Sequence, residues 1–284
     1  KFQDVIKHVN KDSSIIYTVP TGFGVNNENI MLIERRTALS VAKNIFYYYM
    51  PMSPISSTIF ETIIGTKSEL NSVFVNLLNG LFPSSVIKTF DIESAEYIYC
   101  IRILKHYGLM SPIFEICKFA DRSFQSQMME FESVDEIYLD DLVSGLFDLN
   151  TILSSLSGIS PLTLLVKGNI ATIENYIKHL TEQIKIILKK FELKASKTKA
   201  IISWTFDPNE MRGDRLEIIS RLESRLRDYV GDVERQDSRF DYYSSEKKVI
   251  IVSCSKADFN KIQNNPTSEI LIVKATPILG QIPV

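Results

Sequence analysis

The stretches Lys199-Ala200-Ile201-Ile202-Ser203-Trp204-Thr205-Phe206 and Lys248-Val249-Ile250-Ile251-Val252-Ser253-Cys254 decide how the last third of the chain folds. Each is a short apolar run rich in β-branched residues and bounded by polar ones, which is the pattern of a strand. Extended to both sides, the pattern predicts strand 200–206, helix 212–229, strand 233–242, strand 248–254, helix 256–264 and strand 269–276. That order is βαββαβ. With right-handed crossovers it implies a four-stranded antiparallel sheet carrying two helices on one face, a ferredoxin-like domain over 199–284. Sheets of this kind bind RNA through aromatics on their central strands; Trp204 and Phe206 lie on the first, but Val249 to Val252 carry none. An interaction or structural module follows from that absence.

Before this module, residues 51–198 read as a helical domain. Apolar positions recur at three- and four-residue intervals in 55–64, 70–81, 94–107 and 139–156, with breaks at Pro83, Gly108 and Pro112. A further helix over 169–191 has one apolar stripe and a basic opposite face, and Lys167 to Lys199 holds eight Lys against three Glu. Most such runs are solvated faces, but Lys at helical spacing, Lys185 and Lys189 foremost, can also track a phosphate backbone.

Residues 1–50 read as helix 2–9, strand 14–19, a Pro20–Gly24 turn, strand 30–33 and helix 37–49. A strand that runs into a glycine turn is the opening of a nucleotide-binding α/β segment. The fold class expected is therefore α/β and α+β: a phosphate-loop-like start, a helical middle and a ferredoxin-like end.

The run Ile15-Ile16-Tyr17-Thr18-Val19-Pro20-Thr21-Gly22-Phe23-Gly24 resembles motif I of superfamily 2 DExH/DEAH-type helicases. By that resemblance Thr21, Gly22 and Gly24 would cradle nucleotide phosphates, with ATP and Mg²⁺ as ligands. The motif's Lys and Ser/Thr are replaced by Val25 and Asn26, so the loop as written cannot hold an outer phosphate and its metal. A segment missing between Val25 and Asn26 would reconcile the two. The neighbouring Asn29–Leu39 is similar to motif Ia, which would place Arg35 and Arg36 on a nucleic-acid backbone. A looser similarity to the family's winged-helix region runs through Ser53–Thr58, Asp91–Glu96 and Leu104–Leu109, while the DExH carboxylates, the Ser-Ala-Thr motif and the arginine-rich motif VI have no counterpart.

Composition narrows the classes. With 284 residues, 45% hydrophobic, the chain can bury a large core. A net charge of -2 and a pI near 6.0 leave no global field for a polyanion, so a nucleic-acid site would be a local patch. Three scattered cysteines and three scattered histidines suggest neither a disulfide framework nor a metal site, and point to a reducing compartment. No apolar run reaches the roughly 18–20 residues of a membrane helix, so no membrane partner is expected. The first residue, Lys1, points to a fragment, a processed product or a chain lacking its beginning.

Two functions lead among those compatible with these features, ahead of a hydrolase or transferase with a carboxylate or cysteine centre. The first is a non-catalytic assembly or cofactor subunit of a larger nucleic-acid-handling complex, cellular or viral, with other protein chains as partners and a cytoplasmic or virion location. The alternative is an NTP-dependent RNA or DNA helicase, as a fragment or degenerate relative. No catalytic residue is assigned in either: the adjacent Asp140 and Asp141 point about 100° apart on a helix and do not readily share an acid/base site.

Overall fold

The computed structural model describes residues 2–52, 61–81, 83, 86–119, 137–205, 214–236, 248–263 and 270–276. They form two compact units, one of Lys1–Tyr107 with Asp148–Lys167, the other of Gly108–Phe147 with Gly168–Val284.

In the first unit the chain runs α1 (Phe2–Ile6), β1 (Ser14–Tyr17), α2 (Val25–Thr37), β2 (Phe46–Tyr49), β3 (Glu61–Thr66), α3 (Ser72–Leu81), β4 (Val86–Phe90) and the start of α4 (Ile92–Cys117). The sheet order is β1-β2-β3-β4, with β1–β2 parallel, β2–β3 antiparallel and β3–β4 parallel. Phe46-Tyr47-Tyr48-Tyr49 explains the layering, because a strand of β-forming aromatics is covered on both faces. Tyr47 and Tyr49 pack with Ile30 and Ile33 of α2 and Ile92 and Ala95 of α4, while Tyr48 packs with Phe74 and Leu78 of α3.

Several expected elements are corrected. Residues 30–33 belong to α2, where buried Ile30 and Ile33 flank exposed Met31 at helical spacing, and α2 runs unbroken through Val25 and Asn26. The chain leaves that helix at Thr37 through left-handed Ala38, and the expected helix 37–49 ends instead in β2. Residues 61–64 of the helix expected over 55–64 lie in β3, and 55–60 fall outside the described residues. Neither Gly108 nor Pro112 stops α4, although an interior proline costs a helix about 3 kcal/mol.

The second unit holds α5 (Leu139–Val143), α7 (Pro161–Lys190) from Gly168 onward, β5 (Thr198–Ser203), α8 (Asp214–Arg227), β6 (Asp232–Gln236), β7 (Lys248–Ser253), α9 (Lys256–Gln263) and β8 (Ile270–Lys274); α6 (Leu146–Ser155) falls mostly in the first unit. Its sheet has the order β6-β5-β7-β8 and every pairing is parallel. This overturns the ferredoxin-like reading. The physical reason lies in β5 and β7, whose Ala200-Ile201-Ile202 and Val249-Ile250-Ile251-Val252 runs are buried without alternation. Strands covered on both faces belong to parallel sheets, whereas a sheet with one open face alternates. Ile201, Val249 and Ile251 meet Ile262 of α9 and Ile270 and Ile272 of β8 on one side. β6 and β7 lie on opposite sides of β5 and both run parallel to it, so they do not form a hairpin.

Among the described residues no helix is long and apolar enough to cross a membrane.

Candidate functional sites: a glycine turn and a parallel-sheet crevice

In the first unit the carboxyl end of β1 feeds Thr21–Gly24 and then α2, whose N-cap is Gly24 at φ 80°. That φ is left-handed and suits glycine. Gly22 is required for a different reason: a Cβ there would lie 2.3 Å from Ser155 Oγ and 2.6 Å from the Thr151 carbonyl of α6. Pointing into the turn is Glu96 of α4, fully buried. Its carboxylate accepts the Gly24 N–H at 2.7 Å, the Asn26 N–H at 2.9 Å and the Asn26 Nδ2 at 2.7 Å. The Asn26 amide also donates to Thr21 Oγ1 at 2.8 Å and accepts from Tyr47 Oη at 2.6 Å. Tyr49 Oη accepts the Thr21 N–H at 3.2 Å.

Glu96 forms no ion pair among the described residues, so a buried anion is held by N–H donors and by the positive end of α2. Burial pushes the Tyr47 and Tyr49 hydroxyls well above their ordinary range and raises the Cys100 thiol to about 12. These groups stay neutral and serve as hydrogen-bonding walls. Of the backbone donors expected to receive a phosphate at Thr21, Gly22 and Gly24, two are engaged inside the protein: Thr21 N–H with Tyr49 and Gly24 N–H with Glu96. Arg35 and Arg36 sit exposed in the last turn of α2, where cations complement the helix end. Lys185 and Lys189 are exposed on α7, the former with Nζ 4.9 Å from the Tyr229 ring centroid.

The second unit has a topological switch point, because from β5 the chain goes to β6 on one side and β7 lies on the other. In open α/β sheets the ligand crevice lies outside the carboxyl ends of the strands at such a point. Here β5 ends in Ser203 with Thr205 just beyond it, and β7 ends in Ser253 with Ser255 just beyond it. Asp258 of α9, fully buried, accepts the Thr205 N–H at 3.0 Å, Thr205 Oγ1 at 2.6 Å and Ser255 Oγ at 2.6 Å. Ser255 Oγ in turn accepts the Asp258 N–H at 3.0 Å, an N-cap bond that fixes the start of α9. Ser203 Oγ, in register with Ser253, is buried with no hydrogen-bond partner among the described residues.

The same strand ends are held by α5. Leu139 N–H donates to the Ala275 carbonyl at 2.8 Å and Asp140 N–H to that of Cys254 at 3.0 Å. Asp140 Oδ1 accepts Trp204 Nε1 at 2.8 Å and Arg215 Nε at 2.7 Å, and Arg215 Nη2 donates to Ser144 Oγ at 2.8 Å. Asp141 accepts the Tyr138 N–H at 2.8 Å, and its burial raises its carboxyl pKa.

Sequence reading passed over Asp258 and Ser203, and gave Glu96, Asn26 and Asp140 none of the roles they hold here. For Glu96 a signal existed: it lies on the buried stripe of α4 with Ile92, Tyr99 and Ile103, and a carboxylate on an apolar stripe implies donors waiting for it.

No family model matches the sequence, and no curated protein does. Solved structures do match the fold. A UDP-D-ManNAc dehydrogenase from Pyrococcus horikoshii aligns over 100% of this chain and 73% of its own, with TM-score 0.67 and 14% identity. A UDP-glucose dehydrogenase from the archaeon Pyrobaculum islandicum aligns over 97% and 70%, with TM-score 0.60 and 9% identity. The UDP-N-acetyl-mannosamine dehydrogenase of Staphylococcus aureus aligns over 95% and 73%, with TM-score 0.53 and 10% identity. This whole-chain likeness overturns the helicase resemblance, and with it both the helicase and the nucleic-acid assembly-subunit readings. The chain has the fold of the UDP-sugar dehydrogenases: a Rossmann-like first sheet, helices through the middle and a parallel C-terminal sheet.

Proposed function

We propose that this chain belongs to an oxidoreductase that acts on a nucleotide-activated sugar, with a nicotinamide dinucleotide as hydride acceptor. One observation carries the reading: the fold likeness to a UDP-D-ManNAc dehydrogenase extends over 100% of the chain. The parallel sheet adds a physical reason, since its switch point offers a nucleotide crevice at the carboxyl ends of β5 and β7. There the unpartnered Ser203 hydroxyl is a donor and acceptor available to a ligand.

When bound, the dinucleotide would take the hydride of a sugar carbinol. Its pyrophosphate needs a cradle of free N–H groups, and the β1–α2 turn does not fit that need, because Glu96 already takes the Gly24 and Asn26 N–H groups. No step is assigned to residues of that turn.

The test is thermal unfolding with UDP, UDP-glucose, UDP-N-acetylmannosamine and NAD⁺, followed by near-ultraviolet detection of reduced nicotinamide in the same mixtures. A ligand present at 100 times its Kd stabilises by about 2.7 kcal/mol. Stabilisation by a nucleotide sugar with appearance of the reduced cofactor is expected; neither effect with any member of the panel would overturn the reading.

A further inference from the structure

The β1–α2 turn has the makings of an anion site. Gly22 and Gly24 form the sequence's one Gly-x-Gly, placed at the start of a thirteen-residue helix. Backbone donors at such a helix start are suited to phosphate. Here the anion is supplied by the chain itself. Glu96 Oε2 lies 2.7 Å from Gly24 N, and Glu96 Oε1 lies 2.9 Å from Asn26 N and 2.7 Å from Asn26 Nδ2. The walls are equally committed: Asn26 is clamped by Tyr47 and Thr21, and Cys100 Sγ donates to the Thr21 carbonyl at 3.9 Å. Close contact of Gly22 with Ser155 and Thr151 of α6 closes the turn from a further side.

We infer that Glu96 is a built-in counter-anion that closes this glycine turn to phosphate, so that any nucleotide this chain binds has its phosphates received elsewhere. A phosphate entering the turn would have to displace a buried carboxylate, and would meet that carboxylate's negative charge at hydrogen-bonding range. Expelling Glu96 would also expose α4 at a position packed among Ile92, Ala95 and Tyr99. The inference matters for a pyrophosphate-bearing cofactor, and to that extent rests on the oxidoreductase reading; the statement about the turn does not.

The experiment is amide NMR of the full chain titrated with inorganic phosphate, without nucleotide or sugar. In the wild type the Gly24 and Asn26 amides are expected to stay in place; saturable movement of either would overturn the inference. In Glu96→Ala the emptied turn is expected to take phosphate or acetate, seen as saturable shifts at the same amides, or as folding that depends on the added anion. A folded Glu96→Ala protein indifferent to both anions would overturn it. Glu96→Gln keeps the side-chain volume without the charge, and its Gly24 amide should exchange with solvent about tenfold or more faster than in the wild type, the effect of losing one charge-assisted hydrogen bond. Unchanged exchange would likewise refute the role given to Glu96. None of these readouts involves oxidation of a sugar, so failure here and failure of the proposed activity are separately visible.

Discussion

Replacing Asp140 by Ala tests how the carboxyl ends of the second sheet are held. Trp204, the only tryptophan in the sequence, is buried and donates Nε1–H to Asp140 Oδ1 at 2.8 Å. Truncation leaves that donor without this acceptor, and a buried donor stripped of its partner costs about 1–3 kcal/mol. The Arg215 ion pair adds less, because its side chains are 17% and 27% exposed and solvent screens part of the attraction, so about 0.5–1 kcal/mol is reasonable. Arg215 keeps its bond to Ser144 Oγ, and the backbone bonds from Leu139 and Asp140 to the strand ends do not depend on the side chain. The expected loss is about 2–3 kcal/mol, a fall in Tm of about 5–10 °C for a domain of this size. Asp140→Asn keeps an acceptor for Trp204 and loses only the charge, so it should cost about 1 kcal/mol or less. Urea unfolding followed by tryptophan fluorescence reports both stability and the surroundings of the indole. A cost under about 0.5 kcal/mol for Ala, or an Asn variant as damaged as Ala, would rule out this role for the Asp140 carboxylate.

Glu96→Gln should destabilise the first unit by about 2–4 kcal/mol, since an amide nitrogen must face an N–H donor whichever way the side chain turns; urea unfolding by circular dichroism checks this, and a change under about 0.5 kcal/mol would refute it. The three cysteines, Cys100, Cys117 and Cys254, are all buried with thiol pKa values raised by burial. A thiol reagent at neutral pH should therefore label the native protein slowly and all three only on unfolding; fast labelling of the native state would contradict the burial. Asp141 has its folded pKa raised by burial, so it binds its proton more tightly folded than unfolded. The second unit should accordingly gain stability as pH falls through that raised value toward the ordinary carboxylate pKa, and lose it as pH rises through the same window. Asp141→Asn, which keeps an acceptor for the Tyr138 N–H, should flatten this slope and leave neutral-pH stability equal or higher; an unchanged slope by urea midpoint against pH would sink the assignment.

The legible and the hidden parts of this fold divide along physical lines. Periodicity located the helices expected over 70–81 and 212–229, observed as 72–81 and 214–227, and the strands expected over 200–206 and 248–254, observed as 198–203 and 248–253, because each buries a face whose spacing appears in the residues themselves. Strand direction is not periodic, so the order βαββαβ suited either an antiparallel or a parallel sheet. The unalternating runs Ala200–Ile202 and Val249–Val252 held the distinction, since both faces of those strands are covered. The glycine turn misleads for a complementary reason. Gly22 and Gly24 do mark a helix start with free N–H groups, and such groups demand an anion. A local motif cannot say whether that anion arrives as a ligand or is carried by a distant helix of the same chain. Glu96, placed on the buried stripe of α4, is the chain's own answer, and a carboxylate on an apolar stripe is therefore as informative about a distant glycine turn as the turn's own residues are.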